Sequence, residues 1–267
     1  MLDFFQTRLA ELDSAVYDLI GYEEERQARK LILIPSESQA PAAVREALGS
    51  VFQNIYAEGY PDPALHGLTE AQILDYEIQL ATYRRNSDER YYKGVEYVDL
   101  LEALTRRRAA EAFAANGVAA EAIYANVQPL SGSPANSAVY AALVPPGETV
   151  MGMSLLHGGH LTHGSPANRS GKHYKIVTSY PWMPDWARFR QIADAVGAYL
   201  LADISHIAGM VAAGVVPSPI DHAHVISFTT HKTLYGPRGA CILTTDKKLA
   251  AKIDAAVFPG EQGGPHV

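Results

Sequence analysis

The sequence predicts an α/β domain in which helices flank a largely parallel β-sheet. Three observations point there. Short, nearly continuous apolar runs recur along the chain; amphipathic segments of helical period separate most of them; and the 267 residues are 48% hydrophobic and 19% charged, enough to bury a substantial core.

The elements follow in order. The opening "MLDFFQTRLAELDSAVYDLIGYEEERQARK" reads as a charged amphipathic helix and lacks the apolar centre of a secretory leader. Residues 61–90, "PDPALHGLTEAQILDYEIQLATYRRNSDER", are more polar, carry their own helical pattern and read as an insertion. "DLLEALTRRRAAEAFAA" (99–115) is helical in period. The run "AIYANVQP" then leads into "SGSPANSAVYAALV", which is a strand, a small-residue turn and a helix. "ETVMGMS" and "HYKIVTSY" predict strands, and "PDWARFRQIADAVG" a helix with Phe189, Ile192, Ala193 and Val196 on one face. "AYLLADIS", "HVISFTTH" and "ACILTT" are short enough for buried strands, and "DKKLAAKIDAAV" closes with a helix.

Composition excludes several function classes. The formal charge of −7 comes without a basic block, which disfavours nucleic acid and anionic membranes as partners. The single cysteine, Cys241, has no partner for an internal disulfide, and no segment reaches membrane-spanning length, so a cytoplasmic protein is expected.

Ligands of open α/β sheets bind outside the carboxyl ends of the strands. Three candidate groups fall at such places. "SFTTHKTLYGPRGA" (227–240) sets Lys232 just past an apolar run, although a lysine taken at random is a solvated surface group. "YLLADISHIAG" sets Asp203 at the end of another run, where a buried carboxylate needs a cation or strong donors, and a pyridinium nitrogen would serve. "SGSPAN" offers the N–H groups of a helix start and the hydroxyls of Ser131 and Ser133 to an anion. A Schiff-base lysine, a carboxylate for the pyridine nitrogen and a phosphate cradle together suit pyridoxal phosphate. His157, His160 and His163 raise zinc as a competitor, but the glycines of "HGGHLTHG" speak against one helical face and no carboxylate or thiolate stands nearby in sequence, so no metal is expected.

The blocks "YAEGYP", "RYYKGVEYVDLLE", "YANVQPLSGSPAN", "HGGHLTHGSPANRSGKHY", "DISHIAGMVAAGVVPSP", "THKTLYGPRG" and "VFPGEQGGP" resemble, in wording and order, the serine hydroxymethyltransferase (glycine hydroxymethyltransferase) family. The resemblance runs from about Ser36 to the last residue. It implies the large domain of a pyridoxal-phosphate enzyme of fold type I, aspartate-aminotransferase-like, spanning 36–267 behind a helical arm at 1–35. It also implies a homodimer or higher oligomer that interconverts serine and glycine with tetrahydrofolate as co-substrate. By resemblance, Lys232 carries the cofactor as a Schiff base, Asp203 partners the ring nitrogen, His160 stacks on the ring and His206 lies by the ring oxygen. Ser131, Gly132 and Ser133 cradle the phosphate, Thr229 belongs to the same cofactor site, and Gly263 and Gly264 reach a neighbouring subunit's phosphate. Tyr56 and Glu58 serve the substrate hydroxyl and folate. Tyr92 and Ser36 are substrate-side groups, Leu155, Gly159 and Leu161 contact folate, and Arg238 is a further substrate-side candidate that could bear electrostatically on Lys232.

Departures from the family pattern accompany the matches. The 61–90 insertion separates Glu58 from Tyr92; the chain is shortened near 178–184, where Thr178 or Ser179 could replace a lost hydroxyl residue; and it stops where a C-terminal small domain with a carboxylate-binding arginine is expected. Two further readings therefore stand beside the hydroxymethyltransferase. One is a shortened, non-catalytic relative that binds pyridoxal phosphate or pairs with a complete subunit. The other is a folate-independent aldolase acting on threonine-like substrates.

Overall fold

The structure is a computed structural model that describes residues 5–87, 89–179 and 184–264. The chain forms two compact units, Met1–Glu37 and Ser38–Val267. In the first, a short helix α1 (Leu9–Leu12) precedes α2 (Ser14–Arg29), which starts where the Asp13 carboxylate accepts the Val16 N–H at 3.1 Å. An ion pair between Glu23 and Arg26 runs along its exposed surface.

The second unit begins with α3 (Ala42–Leu48) and then enters the 61–90 segment. Here α4 (Glu70–Ile73) opens on a capping box between Thr69 and Gln72, and α5 (Tyr76–Asn86) is capped by Asp75. Ile73 is fully buried against Leu100 and Ala103 of α6 (Glu96–Phe113), which anchors the excursion. The excursion leaves and returns at one point: the Tyr91 N–H donates to the Glu58 carbonyl at 2.9 Å, and a Cβ on Gly59, whose φ is +111°, would lie 3.1 Å from the Arg90 Cα. That approach requires glycine at position 59. The 61–90 segment therefore leaves "YAEGYP" and "RYY" side by side.

The sheet begins with β1 (Tyr124–Asn126), followed by α7 (Gly132–Leu143), β2 (Thr149–Met153), α8 (Arg169–His173) and β3 (Lys175–Ser179). Then come α9 (Trp186–Val196), β4 (Leu201–Asp203), α10 (Ala208–Ala212), β5 (Val225–Thr229), β6 (Ala240–Thr244) and α11 (Lys247–Ala255). The strand-and-helix order is the expected one, but the sheet is mixed rather than largely parallel. Its four-stranded part runs β1-β6-β5-β4 with β6 antiparallel to both neighbours and β4 parallel to β5; β2 and β3 form a separate parallel pair. Chain length explains β6. Only residues 230–239 separate it from β5, too few for the helical crossover that parallel neighbours require.

Alternation along β5 and β6 then builds three layers. Ile226, Phe228, Cys241 and Leu243 face α6 and α10, with the rings of Phe113 and Phe228 stacked at 4.5 Å. Val225, Ala240 and Ile242 face α7 and α11. The apolar face expected on α9 is only partly used: Ala193 is buried, but Ile192 and Val196 stand exposed. The shortening near 178–184 lies largely at 180–183, outside the described residues. No helix among the described residues is long and apolar enough to cross a membrane.

Candidate functional site

Lys232 lies just beyond the end of β5 and is 9% exposed. Its segment is seated on the start of α10: the Gly209 N–H donates to Thr233 Oγ1 at 2.9 Å, and a Cβ at Gly209 would meet the Thr233 carbonyl at 2.4 Å. Among the described residues no hydrogen bond or ion pair takes up the Lys232 amine. Burial lowers its pKa, with the Asp203 charge acting in the opposite sense. A buried lysine short of a partner, with its pKa lowered, has the character that nucleophilic attack on a carbonyl needs.

Asp203 ends β4, parallel to and in register with Ser227 of β5. Both of its oxygens are engaged. Oδ1 accepts from the Ser205 N–H at 3.0 Å and hydroxyl at 2.6 Å; Oδ2 accepts from Asn136 Nδ2 at 2.8 Å and His163 Nε2 at 3.0 Å. Burial pushes this carboxyl up, but the hydrogen bond and charge of His163, with the donors on Ser205 and Asn136, outweigh it and hold the pKa well below the usual carboxylate range. With four acceptor positions filled, a pyridinium N–H would share an oxygen with one of these donors or take its place. His163 Nδ1 faces the Tyr140 hydroxyl at 2.8 Å. Asn136, 1% exposed, accepts from the Ser227 hydroxyl at 2.7 Å and also donates to Thr162 at 2.9 Å. Sequence reasoning missed His163, Asn136, Ser205 and Ser227 as support for Asp203. The signal available was their place in the same motifs as the residues it did select.

His160 is tied through Nδ1 to the Thr162 hydroxyl at 2.8 Å and meets His163 edge-on at 6.2 Å between centroids. Burial lowers the pKa of His160, and likewise that of the more exposed His206, whose first charged neighbour is Lys232. His163 is hydrogen-bonded to both Asp203 and Tyr140. Among the described residues no group of three His, Cys, Asp or Glu side chains could hold a metal ion.

The candidate anion cradle lies at the start of α7. Ser131 is its N-cap and spends no side-chain hydrogen bond on the helix. Thr229, at the end of β5, packs on Gly132, and its Oγ1 is buried with no hydrogen-bond partner. An orphaned hydroxyl beside the free N–H groups of a 12-residue helix fits a phosphate. A Cβ on Gly132 would stand 2.8 Å from Thr229 Cγ2. Gly132→Ala is therefore expected to cost about 1–3 kcal/mol in urea unfolding, and the added change Thr229→Ser, which removes that methyl, to recover most of it.

A second group of predicted residues gathers elsewhere on the chain. The Tyr56 and Tyr92 rings lie 5.6 Å apart and both are exposed, so the insertion does not separate them. Glu58 packs against the tail: Cβ atoms on Gly263 and Gly264 would lie 3.6 Å from Glu58 Oε1 and 3.4 Å from Glu58 Cγ. Gln262 ties this tail to the cradle's approach, donating to the Gln128 carbonyl at 2.8 Å and accepting the Leu130 N–H at 3.2 Å.

The remaining candidates are less engaged. Leu155 and Leu161 are exposed in single helical turns. Gly159 has a packing reason to be glycine, since a Cβ there would meet the Met153 carbonyl at 2.0 Å. Ser36 sits in a turn of the first unit. Arg238 is exposed, and its charge bears on His231, where it ranks after burial in lowering that pKa; it is not among the influences on Lys232, so the expected electrostatic support is not found.

The chain matches the family model described as "Serine hydroxymethyltransferase" over residues 9–88, 85–180 and 173–267. Three curated relatives carry the same name. That of Caulobacter sp. (strain K31) is 44% identical, covering 98% of this chain and 60% of the relative. That of Deinococcus deserti is 47% identical over 96% and 63%, and that of Rhodospirillum centenum 45% identical over 98% and 61%. The chain thus spans about three fifths of these relatives' lengths. The first aligned span, 294 positions, exceeds the chain's 267 residues, so that relative carries positions within the match that this chain lacks.

Proposed function

Because this chain belongs to the serine hydroxymethyltransferase family, we propose that it provides the fold-type-I large domain of an enzyme interconverting serine and glycine, with a hydroxymethyl group passed to or from tetrahydrofolate. The observation that carries the reading is the buried, unpartnered Lys232 amine at one strand end with the low-pKa Asp203 at the neighbouring one. Bound pyridoxal phosphate would supply the electron sink for the charge left on the amino acid's α-carbon when the hydroxymethyl group departs.

The chain's own residues divide the remaining work. Lys232 would hold the cofactor covalently. Ser131, Gly132, Ser133 and the orphaned Thr229 hydroxyl would bind its phosphate. Asp203, its pKa lowered by His163, Ser205 and Asn136, would supply negative charge to the ring nitrogen. His160 would orient the ring, a contribution to alignment rather than to bonding. Glu58 moves a proton at the substrate hydroxyl, and Tyr56 and Tyr92 line that side. Glu58, Gly263 and Gly264 pack together, which fits a homodimer in which one patch of each subunit completes the other's site.

Borohydride reduction of the protein loaded with pyridoxal phosphate, followed by peptide mapping, should label Lys232; label elsewhere, or none, overturns the assignment. A second reading, cofactor binding without turnover, is favoured by the internal positions that the chain lacks relative to its relative. It predicts labelled Lys232 together with no serine cleavage.

A further inference from the structure

We propose that Arg90 is a positioning residue for Glu58. Its side chain is fully buried and joins two segments, residues 57–59 and helix α6. Nη1 donates to the carbonyls of Ala57 at 2.7 Å and Gly59 at 3.0 Å, the two residues that flank Glu58. Nε and Nη2 are held by the carboxylates of Asp99 and Glu102 on α6, the latter at 2.7 Å. The Glu58 carbonyl is taken by the Tyr91 N–H, and Gln128 Nε2 adds a second donor to Gly59 at 2.8 Å.

Three successive carbonyls, 57 to 59, thus accept from Arg90, Tyr91 and Gln128. Backbone freedom around Glu58 is removed, and its side chain is left to point at the Gly263–Gly264 tail. An arginine buried only to stabilise would be a poor device, since buried ion pairs barely repay their desolvation. A planar fork aimed at two carbonyls around one carboxylate supplies orientation, and a misplacement of about 1 Å at a reacting group can cost on the order of 100-fold in rate. The inference rests on the role given to Glu58 above. Lysine keeps the charge at position 90 but loses the fork.

Amide hydrogen exchange on the protein without cofactor tests the clamp independently of activity. Arg90→Lys should speed exchange of residues 56–60 and 91 by about tenfold or more, with helix α7 unchanged. Unchanged exchange at 56–60 overturns the proposal, as does acceleration spread evenly over the chain in both Arg90→Lys and Gln128→Met, the milder variant that removes one donor shared by Gly59 and the Glu102 carboxylate while leaving every charge in place. In the loaded enzyme, Arg90→Lys should lower kcat for folate-dependent serine cleavage by roughly 100-fold with serine KM little changed. The Lys232-linked chromophore and glycine α-proton exchange should persist. Combined with Glu58→Gln, the losses should not multiply; multiplicative losses show that Arg90 acts by another route. Absence of the Lys232 link in the unsubstituted protein would instead strike the proposed function, leaving the exchange result to decide the clamp.

Discussion

Replacing Lys232 with alanine is expected to abolish the covalently held chromophore and to reduce serine cleavage by about 10³-fold or more, the scale on which removing a covalent catalyst acts. Lys232 as a residue is 9% exposed, its amine has no hydrogen-bond partner among the described residues, and no other described lysine combines a strand-end position with that burial. Pyridoxal phosphate should still bind weakly, because the Thr229 hydroxyl and the start of α7 are untouched. Absorbance after dialysis and borohydride labelling check the outcome. A variant that keeps a reducible link would show that another amine does the work. The pH dependence has a definite sign. Burial lowers the pKa of Lys232, so the unfolded chain binds its proton more tightly, and the cofactor-free protein should gain stability as pH rises from the folded value toward that of an ordinary lysine. Lys232→Ala should flatten that rise.

Asp203→Ala should cost about 10²–10³-fold in glycine α-proton exchange, the scale for removing a preorganised electrostatic partner. Cofactor should remain attached through Lys232. The structure adds a second cost, since Asn136, His163 and Ser205 all donate to this carboxylate and lose their acceptor together. Each buried donor left unsatisfied costs about 1–3 kcal/mol. Because the folded pKa is depressed, the contribution of Asp203 to stability is present above the ordinary carboxyl range and fades as pH falls through the folded value. The variant should therefore lose part of the acid-side slope in stability. Exchange of the glycine proton at the unsubstituted rate would remove the electron-sink role of this residue.

Much of the site was legible because its main groups sit at the ends of apolar runs. A run such as "HVISFTTH" declares a buried strand, and whatever polar residue follows it is carried to the ligand-binding edge. Lys232, Asp203 and the Ser131–Ser133 turn are placed at element ends in this way, and the helices α6, α7 and α11 follow from their period. Other features had no local cue. The apolar stripe on α9 was plain, yet Ile192 and Val196 are exposed, because a stripe says nothing of what covers it. Arg238 stood near Lys232 in sequence, but the turn that carries it brings its charge to His231.

The sequence by itself determined the order of strands and helices and which polar side chains end the strands, since both depend on neighbours within about a dozen residues. Only the tertiary structure decided that β6 runs antiparallel between β1 and β5, that His163 and Asn136 keep Asp203 ionised, and that Arg90 clamps the backbone on both sides of Glu58. Those contacts join residues up to 67 positions apart for Asn136 and Asp203. The hydrogen bonds form only after the core has brought the segments together, and no local pattern of residue types encodes which donor meets which acceptor.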